Sequence, residues 1–252
     1  MKIKYASILD GSENDYPGKV ASVVYVGGCP FRCGYCFSGP LVVAAENCLE
    51  VESEFISGHI IGRKANVEAV VFTGGEPLQQ AGAVSEICAK LKKEGFFTKI
   101  DTNGFYPDKL VQMLPFLDAV SMDIKTEFDA GKYAEITSFR GESAMQMQEI
   151  LRSIIELKKW KENNRNFFLE IRTTVIPSIN DKEEIIEKIA KEAAFADRYV
   201  LQQFDASRDL IEPGLQKLGN TPKFRLVELG VAAKKHAKSV KIRTKEEGEQ
   251  EI

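Results

Sequence analysis

Short apolar and β-branched runs recur along the chain at positions 21–26, 67–72, 96–101, 119–124, 167–175, 198–204 and 240–243, and each predicts a strand. Helical stripes separate them. Val84, Ile87, Cys88 and Leu91 recur at i, i+3, i+4 and i+7 and are closed by Gly95, and Met147, Ile150, Leu151, Ile154 and Leu157 form a second stripe. A third carries Ile185, Ile186, Ile189 and Ala193, with Asn180 as the expected N-cap and Glu183 three residues on. Alternation of strand and helix over the whole length predicts βα units and a parallel sheet. Right-handed crossovers would curl about six such units into a full or partial barrel, with a doubly wound open sheet as the alternative. No repeat, low-complexity tract or Pro/Gly/Ser linker marks a boundary, so one domain spanning 1–252 is expected. Residues 205–252 form a basic helical and strand extension with an acidic tail inside that domain.

In parallel α/β architectures ligands collect where the strands end, because the βα loops converge there. Four polar motifs fall at such ends. A cysteine-rich loop follows the first predicted strand and Thr73-Gly74-Gly75-Glu76-Pro77 the second; Asp101-Thr102-Asn103-Gly104 ends the third and Asp123-Ile124-Lys125 the fourth. Side chains two apart on a strand share a face. Ser121, Asp123 and Lys125 therefore oppose Val120, Met122 and Ile124, and Glu170, Arg172 and Thr174 oppose Leu169, Ile171 and Val175. The apolar faces suit an outer helix layer, which turns the charged faces inward. Charges there must be paired or must bind a ligand. Asp101, Asp123, Lys125, Glu170 and Arg172 read either as an internal ion-pair network or as a polar ligand site.

With 44% hydrophobic and 28% charged residues the composition is that of a globular protein rather than a disordered one. The apolar runs are far shorter than the roughly 18 residues a membrane span needs, and the N-terminus reaches Asp10 without a signal-like apolar stretch. A cytoplasmic protein with no membrane association is expected. The net charge of −3 hides nine Lys/Arg against the single acid Glu228 between Lys217 and Lys245. A solvated helix face is the simplest reading of that run. Nucleic-acid binding is not expected, because no aromatics interleave with the charges.

Three of the five cysteines, Cys29, Cys33 and Cys36, crowd into the loop CPFRCGYC. A structural zinc takes four N/S ligands and an electron-transfer cluster usually four cysteines. Cys48 could in principle be the fourth, although nothing pairs with it, and Cys88 lies in an apolar helix stripe as a small hydrophobe. Three thiolates around a cubane would instead leave one iron open to a substrate. His59 and His236 have no second ligand or nucleophile near them in sequence, which argues against histidine-rich zinc sites and Ser-His-Asp chemistry.

The spacing of Cys29, Cys33 and Cys36, with the aromatic Tyr35 before the last, together with TGGEP at 73–77, resembles the radical S-adenosylmethionine (SAM) superfamily. That resemblance implies a partial (β/α)6 TIM barrel and a [4Fe–4S] cluster whose fourth iron is chelated by SAM. Reductive cleavage would give a 5′-deoxyadenosyl radical that abstracts hydrogen, with the protein orienting the cofactor. Gly74 and Gly75 would let backbone approach the methionyl group, and Glu76 would hold either the strand-end turn or the ammonium. Arg172 would neutralise the cofactor carboxylate, and Asp101 with Asn103 would reach its ribose or a cation.

The motifs YPGKVASVVYVGGCPFRCGYCF, TGGEPLQQ, IDTNGFYPDKL, AVSMDIK, EIRTTVIPS and YVLQQF, in that order, resemble the activating proteins of anaerobic ribonucleoside-triphosphate reductase, relatives of the pyruvate formate-lyase activases. This implies a glycyl-radical enzyme as partner and an electron donor such as flavodoxin or ferredoxin. Asp123-x-Lys125 matches the activases' cofactor-contacting DxK motif. Two features depart from some activases: no insert carries extra cysteine clusters, and Gln202-Gln203-Phe204 stands where some place a histidine. The rival readings are a small-molecule enzyme resembling 7-carboxy-7-deazaguanine synthase and a zinc or iron–sulfur structural or electron-transfer protein.

Overall fold

The computed structural model describes residues 1–252. The chain divides into two compact units, Met1–Pro30 with Pro40–Ser121, and Phe31–Gly39 with Met122–Ile252. In chain order the elements are β1 (Lys2–Tyr16), β2 (Lys19–Val26), α1 (Gly39–Val43), β3 (Leu49–Glu52), α2 (Ser53–Ile61), β4 (Ala69–Gly74), α3 (Ala81–Lys93), β5 (Phe97–Thr102) and α4 (Pro107–Met113). There follow β6 (Ala119–Asp123), α5 (Ala130–Thr137), α6 (Ser143–Asn163), β7 (Phe168–Val175), α7 (Glu183–Glu192), β8 (Arg198–Gln203), α8 (Lys223–Ala233), β9 (Val240–Thr244) and β10 (Gly248–Glu251). The class is α/β, as the alternation predicts. No helix is long and apolar enough to cross a membrane.

In the first unit the strands pair in the order β5-β4-β2-β1-β3. β2, β4 and β5 are parallel, with Val26 opposite Gly74 and Phe72 opposite Ile100, whereas β1 runs antiparallel to both β2 and β3. The central strands are buried on both faces, which is why they read as continuous apolar runs rather than alternating ones. Helix α3 lays Val84, Ile87, Cys88 and Leu91 inward as its stripe predicts, beside Ile56 and Ile60 of α2.

The second unit orders β10-β9-β8-β7, with β7, β8 and β9 parallel and β10 antiparallel to β9. Its core joins Leu169, Ile171 and Val175 of β7 to Met147, Ile150, Ile154 and Leu157 of α6, Ile185, Ile186 and Ile189 of α7, and Leu226 and Leu229 of α8. Three features differ from the sequence reading. Asn180 is not the N-cap of α7: that position is Lys182, and Asn180 is fully buried. Its Oδ1 accepts from Ile176 N (2.7 Å) and its Nδ2 donates to Lys125 O (2.8 Å) and Thr174 O (2.9 Å). Such a junction satisfies backbone groups that burial has cut off from water, a stronger use for a short amide than an exposed cap.

The second difference is the long N-terminal strand β1 and the edge strands β3 and β10, none of which stands out as an apolar run. The third concerns the basic stretch. The acidic tail turns back as β10, so that Glu249 meets Arg198 (3.2 Å), Lys241 (3.5 Å) and Arg243, and Glu247 meets Lys223 (2.7 Å). Much of the run is thus neutralised within the unit, as a folded face rather than a free basic surface.

Candidate functional site

In the first unit three strand ends come together. Gly75 N donates to Val26 O (2.8 Å) and Glu76 N to Gly28 O (2.7 Å), which draws the TGGEP turn against the segment entering the cysteine loop. A Cβ on Gly75 would lie 2.0 Å from Gly28 O, and Gly74 has φ +109 with Val26 backbone 2.7 Å from its ideal Cβ. Both glycines are required by this backbone approach. Glu76 is fully buried. Its Oε1 accepts from Leu78 N (2.9 Å) and Thr102 Oγ1 (2.8 Å), and its Oε2 accepts from Asn103 N (2.8 Å). Of the two uses that the sequence leaves open for Glu76, this geometry displays the turn.

Asn103 follows directly. Its Oδ1 accepts from Phe105 N (3.0 Å) and its Nδ2 donates to Cys29 Sγ (3.5 Å). Asp101 pairs with the buried Lys99 two residues earlier on the same strand face. Lys99 is a partner that the sequence reading missed, although the period-2 rule places the two together. Burial, followed by the charges of Glu76 and Cys29, pushes the nearby Tyr106 phenol above its usual range.

The second unit holds Phe31–Gly39, bound from two sides. Arg32 N donates to Thr137 O (2.9 Å) in the last turn of α5, and Phe31 packs edge-on to Phe139 at 5.8 Å. Opposite, Ile211 N donates to Cys36 O (3.2 Å) and Glu212 N to Gly34 O (2.8 Å). Burial pushes the Cys33 thiol up to about 11, partly opposed by the Lys125 charge, and burial also raises Cys36. Tyr35 is buried with no hydrogen-bond partner for its hydroxyl, and Lys125 Nζ lies 6.0 Å from its ring centroid.

The polar strand faces of this unit form one network. Asp123 Oδ2 meets Lys125 Nζ at 2.7 Å and Oδ1 meets Arg172 Nε at 2.8 Å. Arg172 lies 4.0 Å from Glu170, which also pairs with Arg198. Desolvation would raise the Asp123 carboxyl, but Arg172 and Lys125 hold it well below the usual carboxylate range. Desolvation likewise works against the Lys125 ammonium, and Asp123 overrides it, so Lys125 stays charged. Lys125 N donates to Tyr133 Oη (3.2 Å), and Thr137 on the same helix carries the carbonyl that holds the cysteine loop. The sequence reading missed Tyr133, Arg198 and the Ile211–Glu212 strap. Gln203 is engaged by Thr221 O and Lys245 N, both at 2.9 Å.

Cys33 and Cys36, on a loop whose backbone is held from two sides, are soft thiol donors of the kind an iron–sulfur group takes, and in the first unit an N–H of Asn103 is directed at the sulfur of Cys29. Cys88 is fully buried in the apolar stripe of α3, as the sequence pattern predicts, and burial raises its thiol. Cys48 packs where a Gly27 Cβ would come within 2.6 Å of its sulfur. His59 pairs at 2.9 Å with Asp10, which Arg63 also meets, a half-buried contact.

The chain belongs to the radical SAM superfamily, whose family model matches residues 23–190. Membership makes it a radical SAM enzyme, with a [4Fe–4S] cluster and SAM as the cofactors implied. Among curated relatives, it is 35% identical over 246 residues, 97% of each chain, to a Methanocaldococcus jannaschii protein provisionally named a glycyl-radical enzyme activating enzyme. It is 30% identical over 182 residues, 70% of each chain, to the pyruvate formate-lyase-activating enzyme of Clostridium pasteurianum. A structure of TYW1 with a lysine–pyruvate adduct bound shares the fold, with a TM-score of 0.62 and 17% identity, over 90% of this chain and 77% of that one.

Proposed function

We propose that the protein generates a glycyl radical on a partner enzyme, anaerobic ribonucleoside-triphosphate reductase, by abstracting a glycine α-hydrogen. The single observation that supports this most is the 35% identity to a glycyl-radical activating relative across 97% of both chains. When bound, the cluster and SAM supply the one-electron cleavage and the hydrogen-abstracting group. Cys29, Cys33 and Cys36 would hold the cluster as thiolates, with metal affinity offsetting the cost of deprotonating the buried thiols of Cys33 and Cys36. Tyr35, between Cys33 and Cys36 in the loop, offers a buried aromatic face. Lys125 remains cationic at neutral pH because Asp123 compensates its burial, Arg172 carries the permanent charge of a guanidinium, and both would present positive charge toward the cofactor carboxylate. Asp101 and Asn103 stand at the strand end where the ribose contact would fall, and Gly74, Gly75 and Glu76 keep the adjoining turn rigid. An electron donor such as flavodoxin or ferredoxin would reduce the cluster, and the site of action would be cytoplasmic.

The test mixes the reconstituted protein anaerobically with a reductant, SAM and the cognate reductase and records electron paramagnetic resonance. A glycyl doublet is expected with wild-type reductase and none when its radical glycine is replaced by alanine. Reductive cleavage of SAM with no glycyl signal, together with consumption of a pterin-like small molecule, would reverse the assignment in favour of a small-molecule enzyme.

A further inference from the structure

Asn103 sits on the strand end where a nucleoside contact is expected, yet its amide is aimed elsewhere. The orientation of the amide follows from its partners. Phe105 N is a donor 3.0 Å from one amide atom, so that atom is the oxygen, and the nitrogen must be the atom 3.5 Å from Cys29 Sγ. The backbone around it is equally constrained. Asn103 N donates to Glu76 Oε2, Thr102 Oγ1 donates to Glu76 Oε1, and Gly104 N donates to Thr102 Oγ1 at 3.1 Å. A fully buried carboxylate therefore holds both residues of the turn, and with only 7% of its surface exposed Asn103 has little room for another rotamer.

We propose that Asn103 raises the reduction potential of the cluster by donating an N–H to the Cys29 sulfur, and that Glu76 is the positioning residue that holds Asn103 there. This rests on the reading of Cys29 as a cluster ligand given above. Reduction adds negative charge that the ligand sulfurs share, so a donor at one of them stabilises the reduced form more than the oxidised form. The buried setting strengthens the effect, because little water competes for the sulfur. Outer groups of this kind tune a metal site as much as its direct ligands do. On this view the TGGEP and DTNG motifs act together on one sulfur.

The experiment is a spectroelectrochemical titration of the reconstituted protein, with paramagnetic resonance of the reduced cluster as the readout. Asn103→Ser keeps an oxygen that can accept from Phe105 N but is too short to reach the sulfur. Iron content and thermal midpoint should stay close to wild type while the reduced form weakens about tenfold, a fall of about 59 mV for a one-electron couple. Glu76→Gln, which turns an N–H against Asn103 N, should lower the potential in the same direction. If Asn103→Ser takes up no iron, Glu76→Gln carries the test alone. Unmoved potentials, or lost iron and stability with the remaining clusters at the wild-type potential, overturn the proposal. A wild-type chain that takes up no iron overturns the cluster reading itself, before any potential is measured.

Discussion

Replacing Asp123 with asparagine keeps its shape and removes the negative charge shared by Lys125 Nζ at 2.7 Å and Arg172 Nε at 2.8 Å. The two cations do not suffer equally. Arg172 retains Glu170 at 4.0 Å, whereas Lys125, with 12% of its side chain exposed, loses the carboxylate it pairs with. Breaking one side of a buried pair costs about 3–5 kcal/mol. The surviving Glu170 contact and the asparagine carbonyl, which still accepts a hydrogen bond, place the loss near the lower end, about 3 kcal/mol. For a chain of this size that is a fall in Tm of about 6–12 °C at pH 7. Lys125→Met in the same background removes the stranded cation and should recover at least half of the loss, a coupling that a double-mutant cycle reads directly.

The pH dependence has a definite sign. Asp123 has a folded-state pKa below its unfolded value of about 3.9, because Arg172 and Lys125 outweigh its desolvation. Its stabilisation is therefore complete above about pH 4 and is lost as the pH falls toward the folded value. The gap in Tm between wild type and Asp123→Asn should stay level from about pH 7 to 5 and narrow below about pH 4. Scanning calorimetry across that range is the assay. A variant as stable as wild type at pH 7, or a gap that widens in acid, refutes the reasoning.

Gly75→Ala places a Cβ 2.0 Å from a backbone oxygen that cannot swing aside, and should cost about 3 kcal/mol or more in a urea titration; a wild-type midpoint would show that the turn can shift. Asn180→Ala strands Ile176 N, Lys125 O and Thr174 O and should cost about 3 kcal/mol, with faster hydrogen exchange at Ile176. Gly34→Val forces a side chain onto Glu212 and Leu215, whose nearest atoms would lie 2.7 and 3.2 Å from even a bare Cβ. Limited proteolysis should then cut faster within 208–218, and an unchanged rate would show that the strap does not bear on the cysteine loop.

The parallel strands were legible because burial on both faces leaves an uninterrupted apolar run, as Val23 and Val24 show on β2 and Val70, Val71 and Phe72 on β4. β1 was not, since in Lys2–Tyr16 buried Ile3, Tyr5 and Tyr16 stand among mostly exposed residues. Pairing with β2 and β3 makes that segment a strand, and such pairing is a long-range property. The same holds for β10, whose sequence Gly248–Glu251 has no strand signal of its own and becomes ordered against β9. Asn180 misleads for a related reason. A short amide three residues before a glutamate satisfies the capping pattern locally, while the backbone groups it joins become neighbours only after the chain has folded.

The polar face of the fourth and fifth predicted strands shows how far alternation reaches. Period 2 places Asp123 with Lys125 and Glu170 with Arg172, and those residues do meet. It also places Lys99 with Asp101, and that pairing consumes much of the capacity of Asp101 within its own strand. Alternation tells which face a charge occupies, but the partner depends on which like-facing charge is two residues away and which strand lies beside it. Glu170 illustrates the second condition, for its partner Arg198 comes from β8 and nothing in β7 announces it. Lys125 and Arg172 illustrate the same condition, for the carboxylate of Asp123 joins a charge two residues further along its own segment to one that comes from β7. Glu76 accepts three hydrogen bonds from its own unit, two of them from residues at the end of β5, and nothing near Glu76 in the sequence announces those two.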